Sequence, residues 1–136
     1  MIEEVLFLTA AFGVILIILL KFFVLKPDNK WKNEILKKLS KLNLKADSSD
    51  LMVLSAVIIE ADKLLDHSLK KSGVKGETLG EKLKNSEKLF EYSQYNRIWA
   101  AHKLRNRIAH ETGSVSAEDL KKAYRELKSA IEKLTR

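Results

Sequence analysis

Three side chains with complementary chemistry stand close together in the run Leu104-Arg105-Asn106-Arg107-Ile108-Ala109-His110-Glu111. Imidazole is the side chain best suited to give or take a proton near neutral pH, which makes His110 a candidate general acid–base. The guanidinium of Arg105 offers a planar donor fork that matches phosphate oxygens. Asn106 can orient either the imidazole or a substrate. This set suits a phosphodiester. RNA can be cleaved by attack of its own neighbouring 2′-OH, which requires proton transfer and a fixed cation for the phosphorane charge, and requires no metal or other cofactor. Arg105, Asn106 and His110 are therefore the candidate catalytic residues, with His102 and Arg107 beside them as candidate substrate-binding residues.

Helical geometry constrains how these groups meet. His102, Asn106 and His110 recur at every fourth position and form a polar ladder on one face. Arg105 and His110 diverge by about 140° on a straight helix. They converge if the helix ends or bends near Ala109, or if a second subunit supplies the complement across a two-fold interface. Ordinary structural roles compete with this reading. His110 can cap a helix end, Arg107 and Glu111 can form a surface ion pair, and Arg105 can bridge to an acid such as Glu60 or Asp62, although Glu60, Asp62 and Asp66 together read first as a solvated face. His67 reads as a surface residue, and Gly73, Gly76 and Gly80 as a helix–helix connection.

Composition excludes much else. The 136 residues contain no Cys, which removes disulfides, thiolate nucleophiles and Cys-based zinc sites. Three His leave little for an all-His metal centre, and no metal ligands are expected. The common glycine-rich phosphate loops are absent. The chain length fits one small domain beside any anchor.

The elements that must position the candidate site read as helices throughout. Residues 5–20 carry no charge, and the apolar run continues past Lys21 to residue 25. At ~1.5 Å per residue, residues 5–25 span about 31 Å, the thickness of a bilayer core. Glu3 and Glu4 at the front, and bulky residues after the apolar run, argue against a cleaved signal peptide. The expectation is a single transmembrane anchor over residues 1–26. Residues 21–45 hold eight Lys against Asp28 and Glu34, and such flanks remain cytoplasmic. The N-terminus is thus expected outside the cell membrane and the C-terminal domain in the cytoplasm.

Residues 27–45 form a basic juxtamembrane amphipathic helix, capped by Asp28, with Trp31, Ile35, Leu39 and Leu42 as its apolar stripe. Four readings are open to it, the first being the simplest: a solvated helix whose lysines serve as positive-inside flanks, a helix lying on anionic headgroups, one docked on the following domain, or one facing RNA phosphates. Residues 46–136 then read as an antiparallel bundle of three long helices and a short one. The first carries the stripe Leu51, Leu54, Ile58, Ala61, Leu65 and Leu69, and ends at Gly73 or Gly76. Residues 78–84 are short, and residues 86–111 turn Leu89, Ser93, Ile98, Ala101, Leu104 and Ile108 inward, with Gly113 as the stop. The last helix starts at a capping box of Ser116 and Asp119. Tyr92, Tyr95 and Trp99 serve either as core or as a dimer contact.

The sequence Arg105-Asn106-x3-His110, late in the penultimate long helix of an all-α domain, resembles the signature of the HEPN superfamily. There an Arg followed by a polar residue precedes a His by four to six positions. The resemblance covers roughly residues 46–134; the anchor and the Lys-rich stretch lie outside it. It implies a homodimer whose two motifs face each other across a cleft, and in catalytic members a metal-independent ribonuclease. The resulting expectation is a membrane-anchored, toxin- or defence-like enzyme acting on cytoplasmic RNA, with an antitoxin-like protein as a further partner. The alternative is a non-catalytic dimerisation or RNA/nucleotide-binding module of the same fold.

Overall fold

A computed structural model of the chain describes residues 1–24, 29–110 and 115–136. They form α1 (Ile2–Val24), α2 (Lys30–Lys45), α3 (Leu51–Lys71), α4 (Leu79–Asn85), a 3₁₀ turn (Glu87–Leu89), α5 (Tyr92–His110) and α6 (Ala117–Leu134), with no strand among the described residues. Leu25, Asp28, Glu111 and Gly113, each given a role by the sequence, lie outside the described residues.

Helix α1 is apolar all round. Residues Ile2–Lys21 are long and apolar enough to cross a membrane, and none of this span is buried in the protein. Such a surface has no soluble partner here, in contrast to the amphipathic helices that follow.

The bundle is built on α3. Its Leu54, Val57, Ile58, Ala61, Leu65 and Leu69 are buried, each large one contributing about 1.5–3 kcal/mol relative to exposure. Leu51, placed on the same stripe by its spacing, is half exposed, because it occupies the first turn before α3 meets its neighbours. Asp50 caps the start, its carboxylate accepting from Met52 N and Val53 N. At the other end Val74 N donates to Leu69 O and Gly73 N to Lys70 O, with Gly73 at φ +84°. This paired bond pattern with a left-handed glycine stops the helix.

Helix α3 packs against α6, α2 and α5, and α5 packs against α6. Helix α6 contributes Leu120, Ala123, Tyr124, Leu127, Ala130 and Ile131, and begins where Ser116 Oγ accepts from Asp119 N. Of the four readings open to α2, the structure gives docking and not a solvated helix: Ile35 and Leu39 join the core, with Trp31 and Leu42 packed against it, because the stripe finds an apolar face on the bundle. Lys128 Nζ donates to Asn43 Oδ1 and Lys121 Nζ to Asp47 O, tying α6 to the far end of α2. The bundle thus has four long helices, one more than the periodicity from residue 46 suggests. Lys37, Lys38, Lys41 and Lys45 remain on the outer face.

The connection into α5 also differs from expectation. Leu89 is exposed and Phe90 is buried in its place, because the 3₁₀ turn ends in an extended Phe90 (φ −126°, ψ 152°) and α5 starts only at Tyr92. Ser93 accordingly faces solvent. Helix α4 is tied down by Lys82, which is buried and donates to Asp66 Oδ1 at 2.8 Å. Gly76, at φ +141°, leaves no room for a side chain: a Cβ there would meet Lys82 N at 2.8 Å.

Tyr124 gives the α2–α6 contact a pH signature. It is buried, and its hydroxyl points to Leu39 O at 3.5 Å. Burial, followed by the Glu132 and Asp47 carboxylates, pushes its phenol up to about 12. Because the folded value exceeds the unfolded one of ~10, this contribution to stability is complete below pH ~10 and lost as pH rises through about 12. In an alkaline spectrophotometric titration the last phenolate step is expected near pH 12, and Tyr124→Phe should remove it.

Candidate functional site

The site is assembled by α3 and α5. Asp62 lies on α3 between Ile58 and Leu65, four residues after one core leucine-type position and three before the next. It is only 5% exposed. Such burial disfavours a carboxylate unless partners compensate. Helix α5 supplies them. His102 Nδ1 lies 2.9 Å from Asp62 Oδ1, and Arg105 Nε lies 3.4 Å from Asp62 Oδ2. Asn106 closes the ring: Arg105 NH1 donates to Asn106 Oδ1 at 3.1 Å, and Asn106 Nδ2 meets His102 Nε2 at 3.3 Å.

Donor and acceptor chemistry allows one consistent assignment. A guanidinium only donates, so the Asn106 oxygen must face Arg105 and its NH2 must face His102. His102 Nε2 then accepts, which leaves the proton on Nδ1 to be donated to Asp62. Both nitrogens of His102 are thereby engaged within the chain. It bridges Asp62 on α3 to Asn106 one turn further along α5. Trp99 covers the imidazole edge-on, with ring centroids 6.0 Å apart, and Tyr95 packs edge-on against Trp99.

Arg105 is about a quarter exposed, and its buried Nε lacks a hydrogen bond of good geometry. One face of the guanidinium is spoken for by Asp62 and Asn106; several of its five donors remain for a ligand. The three acids named beside Arg105 in the sequence separate cleanly. Asp62 holds Arg105, Asp66 holds Lys82, and Glu60 pairs with Lys63 on the surface at 2.7 Å.

His110 stands apart. It is exposed at the last residue of α5, one turn beyond Asn106. Helix α5 runs unbroken to His110, so Arg105 and His110 point away from each other within one chain. Arg107 is also exposed and lines a surface cavity between α5 and α6. The structure therefore gathers Arg105, Asn106 and His102 around Asp62, and leaves His110 and Arg107 facing solvent. Tyr95 and Trp99 are half-buried against the core, whereas Tyr92 is 74% exposed.

Asp62 does not stand on a solvated face with Glu60 and Asp66: it is buried, because His102 and Arg105 on α5 compensate its charge. The available signal was an acid on the α3 apolar stripe, at helical spacing from Ile58 and Leu65. Comparison of the chain with protein families, curated proteins and solved structures gives no match.

Proposed function

We propose that this chain is a membrane-tethered, HEPN-like module whose site forms between two copies and cleaves RNA without a metal. The observation that supports this reading is the division of labour along α5. Arg105 and Asn106 are held by Asp62 and His102, while His110 is exposed and free of any such contact among the described residues. A fixed guanidinium favours a developing phosphorane charge because no reorganisation is needed when the charge appears. An exposed imidazole serves proton transfer. A second chain related by a two-fold axis brings His110 of one copy toward Arg105 of the other, which one straight helix cannot do by itself.

In this reading the 2′-OH of RNA loses its proton to one imidazole and attacks the adjacent phosphorus. The phosphorane oxygens are bound by Arg105, and the departing 5′-oxygen takes a proton from water, whose proton the imidazolium then replaces, returning His110 to its neutral form. The products are a 2′,3′-cyclic phosphate and a 5′-hydroxyl. Helix α1 crosses the bilayer with the N-terminus outside, and the Lys-rich segment that follows keeps the bundle in the cytoplasm.

A second reading rests on the Asp62–Arg105 contact. A guanidinium committed to an intrachain carboxylate suits a non-catalytic module that dimerises or binds RNA or nucleotide through the same face. Incubating the full-length protein with RNA in excess EDTA separates the two. The first reading expects cleavage that EDTA leaves intact, with cyclic-phosphate ends. RNA that stays whole while being retained by the protein supports the second.

A further inference from the structure

The cavity between α5 and α6 has a volume of about 610 Å³, within the range of roughly 300–1,000 Å³ typical of ligand sites. Its apolar lining is the buried Ala101 and Ala123 and the half-buried Leu104, with Ala100 at the exposed edge, and the alanines leave room for a flat group. Its rim is charged, and the charges do not cancel. Arg97 is taken by Glu126 at 3.0 Å. Asp119 accepts from the Ser116 hydroxyl at 2.7 Å and keeps its charge, so four cations face two carboxylates and the rim is net positive by two. Lys103, Arg107 and Lys122 are exposed, line the same cavity, and have no ion-pair partner among the described residues.

Position adds direction. Lys103, Arg107 and His110 are spaced four and three apart on α5, so they lie on one stripe. The cationic rim therefore leads along the helix to the exposed imidazole. Arg105 lies about 160° round the helix from both Lys103 and Arg107 and faces Asp62 on α3, while Asn106 stands beside His110 at the edge of the stripe. An apolar floor with a cationic rim complements a phosphodiester chain whose bases are unpaired: the phosphates meet the lysines and Arg107, and a base or ribose lies over the alanines.

We propose that the α5–α6 groove binds the backbone of single-stranded RNA and leads it to His110. This deepens the RNA-cleavage reading above and rests on it for the identity of the polyanion.

The test uses the full chain in nanodiscs of uncharged lipid and a fluorescent single-stranded oligonucleotide made of 2′-O-methyl ribonucleotides. That probe lacks the attacking hydroxyl, so binding is measured whether or not the protein is a nuclease. The wild type is expected to bind, with affinity falling steeply as salt rises. The triple variant Lys103→Glu, Arg107→Glu, Lys122→Glu should lose on the order of 10–100-fold in affinity. Its log–log salt slope should shrink by about 0.7 for each phosphate contact removed. Its thermal unfolding should stay near wild type, because all three side chains are exposed. Reversal of Lys37, Lys38 and Lys41 on the outer face of α2 should leave binding within about twofold.

Three results overturn the groove: no binding by the wild type, a triple variant that binds like wild type, or a loss that follows the α2 lysines instead. A wild type that binds this probe through the groove yet leaves unmodified RNA intact refutes cleavage and keeps the groove.

Discussion

Replacing Asp62 by Ala should destabilise the bundle by about 3 kcal/mol, seen as a fall in melting temperature on the order of 10–20 °C. The size follows from what the substitution strands. Asp62 is buried and serves two partners, accepting from His102 and facing the Arg105 guanidinium. Without it, a mostly buried cation and an imidazole N–H lose their compensation together, and breaking one side of such a pair costs more than the pair contributes. The exposed pair of Glu60 with Lys63 provides the contrast, and Glu60→Ala should change stability by less than about 0.5 kcal/mol. Because most of the Asp62→Ala cost comes from the uncompensated guanidinium, adding Arg105→Met should restore part of the lost stability. A double-mutant cycle measures that recovery. A melting temperature unmoved by Asp62→Ala would show that α3 and α5 are not locked through this carboxylate.

Removing the His110 imidazole should have the opposite profile. The residue is exposed at the end of α5, so His110→Ala should leave thermal unfolding within about 0.5 kcal/mol of wild type. RNA cleavage should fall by about 10²–10⁴-fold, the usual worth of a positioned general acid–base. Binding of the uncleavable 2′-O-methyl probe should be nearly unchanged. His102→Ala serves as the internal comparison. It removes a half-buried imidazole bonded to both Asp62 and Asn106, so it should lower stability as well as any activity. The two histidines sit two turns apart on one helix, yet one is bonded through both ring nitrogens and the other faces solvent.

Much of this architecture is legible in the residues, and the failures have physical causes. The α3 stripe from Leu54 to Leu69 and the Ser116 cap on α6 follow from spacing and cap chemistry alone. The register at Leu89 and Phe90 does not, because adjacent apolar residues offer two inward faces and only the 3₁₀ turn decides between them. Whether the stripe of α2 faces lipid or protein is also silent in its periodicity; Ile35 and Leu39 are settled by the bundle that receives them.

The candidate site divides along the same line. Arg105, Asn106 and His110 can be singled out by side-chain type and spacing. The partner that fixes two of them sits 43 residues before Arg105, on another helix. No local pattern distinguishes Asp62 from Glu60 and Asp66 except its place within an apolar stripe. The divergence of Arg105 from His110 is likewise a property of a helix that continues without a bend, which the sequence leaves open.

In the proposed dimer two chains share one RNA-cleaving site, with the guanidinium from one and the imidazole from the other. Complementation measures it directly. Full-length Arg105→Ala and His110→Ala proteins are each assayed alone on RNA in EDTA, then after co-expression and co-purification. Both single variants should be nearly inactive, and the mixed assembly should regain a substantial part of wild-type cleavage, because half of its composite sites are intact. A mixture as inactive as its parents, against an active wild type, would contradict the shared site; a wild type that cleaves no RNA would contradict the ribonuclease itself.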